Sequence, residues 1–114
     1  MLIKSFGFAL KGIKLAIKEE RNFRIMLITF IVVVFLGFYF RLEKVDWMMI
    51  LLTSGIVLVA ELFNTTIENM MDMISPDYHV MTERIKDLSA GSVLVTAIFS
   101  VIIGLIVFIP YLKQ

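Results

Sequence analysis

Glu61, Asn64, Thr65, Glu68 and Asp72 stand at i, i+3, i+4, i+7 and i+11 within Ala60–Asp72, AELFNTTIENMMD. On a helix turning by about 100° per residue this spacing makes one polar stripe, with Phe63, Ile67, Met70, Met71 and Ile74 on the opposite face. The stretch continues an apolar run that opens at Trp47. At a rise of about 1.5 Å per residue, Glu61 lies roughly 21 Å along that helix and Glu68 roughly 31 Å. A hydrocarbon core is about 30 Å thick, so Glu68 falls near its far edge and Glu61 inside it. A carboxylate at that depth costs several kcal/mol unless it faces protein, water or a metal. A helix end leaving the membrane, its polar face simply meeting water, accounts equally well for Asp72, less well for Glu68 and least for Glu61.

Carboxylates on successive turns, with Glu20 on a neighbouring segment, can divide the labour of phosphoryl transfer from ATP. That chemistry needs Mg²⁺ held by one or two carboxylates, a cation on the phosphates and a base for the attacking hydroxyl. Glu20 and Glu68, Lys86, and Glu61 can supply those parts in that order. The chain has neither a Walker A motif nor a kinase glycine-rich loop. A soluble-kinase fold is thereby excluded, and nucleotide binding has to be built from helix ends and side chains.

Those groups need elements to position them, and composition says which kind. The hydrophobic fraction is 60% over 114 residues, with a mean hydropathy of +0.94, against roughly 45–50% apolar residues in soluble domains. The length fits a single domain, residues 1–114. Cysteine is absent, so neither disulfides nor thiolate metal sites exist. A net charge of +1 argues against a nucleic-acid partner. Lys4, Lys11, Lys14 and Lys18 occupy the region where a signal peptide would have its apolar core, so no cleavable signal is expected.

Residues 2–20 read as an amphipathic helix. Ile3, Phe6, Leu10, Ile13 and Ile17 share one stripe, and the four lysines form another about 100° away. Such a helix suits the headgroup layer, and it equally suits packing on other protein. Ile25–Phe40 gives 16 uncharged residues, a short first span within about 24–41, with Tyr39 and Phe40 at its interface end. Arg41–Asp46 is a tight turn, and the second span covers about 47–74. Ser75-Pro76-Asp77 then breaks the helix, because proline lacks a donor and restricts its predecessor. A polar loop over Ser75–Asp87 precedes a third span over about 88–112, with Asp87 as its N-cap and Ser89, Ala90, Gly91 and Ser92 permitting close helix approach. Eight Lys/Arg lie on the side of the N-terminus and the Ser75–Asp87 loop, and three lie on the other. The N-terminus is therefore expected in the cytoplasm.

The motif Ala60-Glu61-Leu62-Phe63-Asn64-Thr65-Thr66-Ile67-Glu68, followed by Asp72, resembles the signature of the prokaryotic diacylglycerol kinase family. The likeness extends through Glu20-Arg21-Asn22-Phe23-Arg24, Tyr78-His79 and Lys86-Asp87, and covers nearly the whole chain. It implies an integral-membrane lipid kinase with three transmembrane helices and a surface helix per subunit, three subunits, and composite sites in a bacterial plasma membrane. It implies that Glu61 is the base on the lipid hydroxyl, that Asn64 positions groups around the phosphoryl, and that Glu20 and Glu68 hold Mg²⁺. Asp77, Tyr78, His79, Lys86 and Asp87 would contact ATP. Phe8 stands where the family often has a tyrosine near the adenine. Ala90 replaces a serine of the lipid pocket, and Thr66 a small apolar residue. The wording Glu-Arg-Asn-Phe-Arg and Ala-Gly-Ser-Val-Leu-Val is more similar to the undecaprenol kinase branch, which implies undecaprenol as acceptor, with diacylglycerol the alternative.

Without the resemblance, His79 reads as a solvated loop residue, Lys86 as a snorkelling lysine and the lysine stripe as membrane-surface electrostatics. A small proton-coupled multidrug exporter is the rival from another class. It would be expected to have four spans and one dominant carboxylate, against three spans here and carboxylates gathered at one surface. A catalytically silent scaffold would have no reason to place Glu61 inside the bilayer.

Overall fold

The computed structural model describes residues 1–114 as four helices: α1 Leu2–Glu19, α2 Arg21–Phe40, α3 Lys44–Ile74 and α4 Val80–Leu112. The expected all-α membrane architecture is the one observed, since α2, α3 and α4 are each long and apolar enough to cross a bilayer. Only 12 of 114 residues are buried, and large apolar side chains such as Phe35, Phe38 and Leu105 lie bare. In water that surface would be untenable; against lipid tails or other helices it costs nothing.

Each helix break has a local cause. Between α1 and α2, Glu20 is extended, and the Arg24 guanidinium reaches back to donate to the carbonyls of Ile17 and Lys18 at 3.0 and 2.9 Å. After α2, Arg41 takes the left-handed conformation (φ 56°). The Leu42 N–H then donates to the Gly37 carbonyl at 3.1 Å, in the manner of a Schellman ending. After α3, Pro76 stops the helix.

The third break is shorter than the sequence suggests. Only residues 75–79 are non-helical, because the His79 Nδ1 accepts from the Met81 N–H at 3.0 Å and caps α4. Residues 80–87 contain no Gly or Pro and propagate from that cap. Asp87 is therefore not an N-cap but lies two turns inside α4. As an acceptor at Nδ1, the capping imidazole carries its proton on Nε2.

Helices α3 and α4 make the principal pairing, α2 lies on α3, and α1 packs chiefly on α2. At the end of the bundle away from the Pro76 break, Leu42, Ile50 and Val107 form a small core covered by Phe40, Trp47, Phe108 and Tyr111. The Tyr111 hydroxyl donates to Asp46 Oδ2 at 2.7 Å and accepts from the Glu43 N–H at 3.2 Å. That joins the last turn of α4 to the first turn of α3. Gly37 lets the Trp47 indole lie against α2: a Cβ at 37 would sit 2.5 Å from its Cη2. The indole cannot retreat freely, being packed on Phe38 with ring centroids 4.9 Å apart. Gly37→Ala should lower stability by about 1–3 kcal/mol through overpacking, and Trp47→Phe should recover most of it in the double variant. Thermal unfolding in one detergent checks both; an unchanged single variant would mean that the indole moves aside without cost.

Candidate active site

The polar stripe of α3 turns toward α4. Glu61 is 3% exposed and Asn64 8%, and with Thr53 they are the buried polar groups of that helix. Across from them Ser89 of α4, equally enclosed, donates its hydroxyl to Asn64 Oδ1 at 2.7 Å. With its oxygen engaged, the Asn64 amide keeps its NH₂ for another partner. One end of the same interface is closed by the ion pair of Lys86 Nζ with Asp72 Oδ1. This is the chain's one ion pair, so no cation neutralises Glu61.

Thr82, Lys86, Ser89 and Val93 follow one another at spacings of 4, 3 and 4 on α4. Those positions share a helix face, and it is the face that meets α3. Ser89, bonded to Asn64, and the buried Thr82 on the same face are polar groups that the sequence left unassigned. Read alone, Ser89 is one of four small residues that permit packing; the interval of three from Lys86 is the signal that aligns it with the α3 stripe.

Glu20 is half-buried at the α1–α2 break, and Glu68 half-buried one turn past Asn64. Glu61 and Glu68 share the α3 stripe two turns apart, while Glu20 comes from the break between α1 and α2. They do not close into a cluster of three metal ligands. That donor set fits Mg²⁺ shared with phosphates, since this ion takes one or two carboxylates and completes its shell with water and substrate oxygen. It does not fit an all-protein cage.

Beside this region lies an open cleft of about 460 Å³ between the end of α3 and the start of α4. Its walls include Asp77, Tyr78, His79, Lys86 and Asp87, five residues singled out from the sequence, together with Asp72, Thr82 and Glu83. The Tyr78 hydroxyl donates to Glu83 Oε2 at 2.7 Å, which holds the phenol protonated and above its ordinary pKa. Phe8 is not among these groups. It is 68% exposed on α1, and within one chain nothing brings its ring to the cleft.

A bundle of membrane-spanning helices whose carboxylates, lysine and polar cleft gather at one end is arranged to join a lipid to a soluble substrate. The chain belongs to the prokaryotic diacylglycerol kinase family, whose model matches residues 7–108. It is a lipid kinase, using ATP and a lipid substrate. It is 39% identical over 109 residues to an undecaprenol kinase of Bacillus subtilis, covering 96% of this chain and 89% of that one. A diacylglycerol kinase of Synechocystis is 36% identical over 110 residues, covering 96% of this chain and 63% of its own length. One of Escherichia coli K12 is 27% identical over 101 residues, covering 89% and 83%. The likeness expected from the sequence, including its lean to the undecaprenol kinase branch, agrees with these matches.

Removing one partner of the buried Ser89–Asn64 pair strands the other. Ser89→Ala should cost about 1–3 kcal/mol of stability. A double-mutant cycle with Asn64→Ala should give a coupling of about 0.5–3 kcal/mol. Additive unfolding energies would mean that the hydrogen bond contributes nothing.

Proposed function

We propose that the chain transfers the γ-phosphoryl of MgATP to the hydroxyl of undecaprenol, giving undecaprenyl phosphate. The observation that carries the reading is the burial of Glu61 on the stripe that leads to the polar cleft. A lipid alcohol arrives from the apolar side and a nucleotide from the water side, and Glu61 stands on the apolar side of the meeting point. The hydroxyl oxygen attacks the γ-phosphorus, the bond from that phosphorus to the β–γ bridging oxygen breaks, ADP leaves, and the hydroxyl proton passes to the Glu61 carboxylate.

Other residues bind and orient. The Asn64 NH₂, freed by Ser89, donates toward the transferring group. Lys86 exchanges Asp72 for the phosphates, while Asp77, Tyr78, His79 and Asp87 line the nucleotide's cleft. His79 presents its Nε2–H outward because Nδ1 is engaged as the cap. Glu20 and Glu68 would hold the Mg²⁺, which when bound neutralises charge on the phosphates.

Phe8 can take part in adenine binding only if another subunit's cleft comes to it. That suits a trimer with sites completed between chains, in a bacterial plasma membrane with the N-terminus and the Pro76 break in the cytoplasm. The match to an undecaprenol kinase over nearly the full length supports the acceptor, as does Ala90, which leaves the third span without a polar group at that position.

Purified protein given labelled ATP, Mg²⁺ and a panel of polyprenols and diacylglycerols in one detergent should phosphorylate undecaprenol with the higher kcat/KM. The opposite ranking moves the chain to the diacylglycerol branch with its chemistry intact. Glu68→Gln and Glu20→Gln keep shape but remove charge; both should lower turnover strongly, with excess Mg²⁺ restoring part of it. Near-normal activity in both would reduce these carboxylates to a solvated surface.

A further inference from the structure

The first turn of α4 carries a hydroxyl that the chain itself leaves unused. Thr82 is only 9% exposed, yet its hydroxyl bonds to no group of the chain and is not sealed from the cleft, whose wall it forms. Thr29 and Thr66, inside α2 and α3, satisfy theirs on the carbonyls of Ile25 and Leu62, each at 2.8 Å. Thr82 has no such recourse. The residue four positions earlier is Tyr78, outside the helix, and the His79 carbonyl already accepts from the Glu83 N–H at 3.1 Å.

The backbone of this turn is equally open. The Met81 N–H is engaged on His79 Nδ1, but the N–H groups of Val80 and Thr82 meet no carbonyl of the chain. Free N–H groups and the positive end of the dipole make the start of a long helix attractive to an anion. Lys86 follows Thr82 on the same face, about 6 Å deeper by helix rise. Four carboxylates, Asp72, Asp77, Glu83 and Asp87, line the same cleft. Asp72 is held by Lys86 and Glu83 by Tyr78, which leaves Asp77 and Asp87 uncompensated. An anion entering here therefore has to bring its own cation, as a magnesium nucleotide does.

We propose that the Thr82 hydroxyl, together with the free N–H groups of the first turn of α4, holds the phosphates that ATP keeps when it becomes ADP. This rests on the cleft being the nucleotide's seat and says which phosphates its outer wall takes. Asn64 and Ser89 mark the level of the transferring group. Lys86 stands one turn nearer the Pro76 break, and Thr82 one turn further. A triphosphate laid along that face with its γ-phosphoryl at Asn64 brings the phosphates behind it to Thr82. Those phosphates stay in place during transfer, so the contact is as strong in the ground state as in the transition state. Such a contact sets nucleotide affinity and leaves kcat alone.

Thr82→Val keeps the shape and removes the hydroxyl, whereas Thr82→Ser keeps the hydroxyl and loses the methyl group. In the full-length protein in detergent, the Val variant should raise the KM for MgATP and the inhibition constant of MgADP by the same factor. A hydrogen bond to a charged group predicts about ten- to hundredfold. The kcat and the KM for the lipid should be unchanged, and Ser should restore most of the affinity. Unchanged nucleotide constants in the Val variant overturn the proposal. A Ser variant as weak as Val overturns it too, since the methyl group and its packing would then be what matters. A fall in kcat with MgADP binding intact overturns it by moving Thr82 to the transferring phosphoryl. The cleft itself is tested separately at Ser75, on its wall, because the chain has no other cysteine to be labelled. In Ser75→Cys protein, MgADP should slow modification by a maleimide. Absence of protection overturns the cleft as the nucleotide's seat and the role of Thr82 with it; protection beside an unaffected Val variant overturns the role of Thr82 alone.

Discussion

A carboxylate in hydrocarbon is tolerated only where protein, water or a metal takes the place of lipid, and Glu61 is enclosed between helices at 3% exposure. Much of the bundle follows from that requirement. The α3 stripe has to face α4, which places Asn64 opposite Ser89 and Asp72 within reach of Lys86. Facing inward, the stripe leaves the outer sides of α3 and α4 to Phe63, Met70, Leu94 and Leu105, which are exposed and need no polar partner in a membrane. The pairing of α3 with α4 is therefore both the largest contact in the chain and the frame of its chemistry.

The two ends of the bundle are built differently. Away from the Pro76 break, Trp47 on Gly37, the core around Ile50 and the Tyr111–Asp46 bond tie α2, α3 and α4 together with groups that do no chemistry. Near the break, the chain holds itself with capping and pairing groups that a ligand can recruit: a histidine cap, an exposed ion pair and a tyrosine bonded to a glutamate. An exposed ion pair such as Lys86–Asp72 contributes about 0–1 kcal/mol, so phosphate can displace Asp72 at little cost. Stability is concentrated at one end and exchangeable contacts at the other.

The α3 stripe was legible in the sequence because five polar residues repeat at helical spacing inside an apolar run, a pattern that one helix can satisfy in one way. The breaks at Glu20, Arg41 and Pro76 were legible from charge clusters and proline. Ser89 was not, because a serine among Ala90, Gly91 and Ser92 reads as a packing residue until the register of α4 on α3 is known. The start of α4 was misread for a related reason. His79 is an unusual cap, so the polar residues 80–87 resembled a loop although nothing in them breaks a helix. Phe8 marks the limit of a single chain: its position along α1 is fixed by sequence, but nothing within this chain brings its exposed ring to the cleft.

The central claim is that Glu61 serves the lipid hydroxyl and not the nucleotide. Glu61→Gln keeps the volume and much of the hydrogen bonding while removing the base, and losing a general base costs about 10²–10⁴ in rate. Nucleotide affinity and turnover measured on this one variant test the claim most directly. The account predicts MgATP binding close to that of the unsubstituted protein, with turnover lower by that factor. Lost MgATP binding would make Glu61 a metal or structural group, and normal turnover would contradict its role as the base.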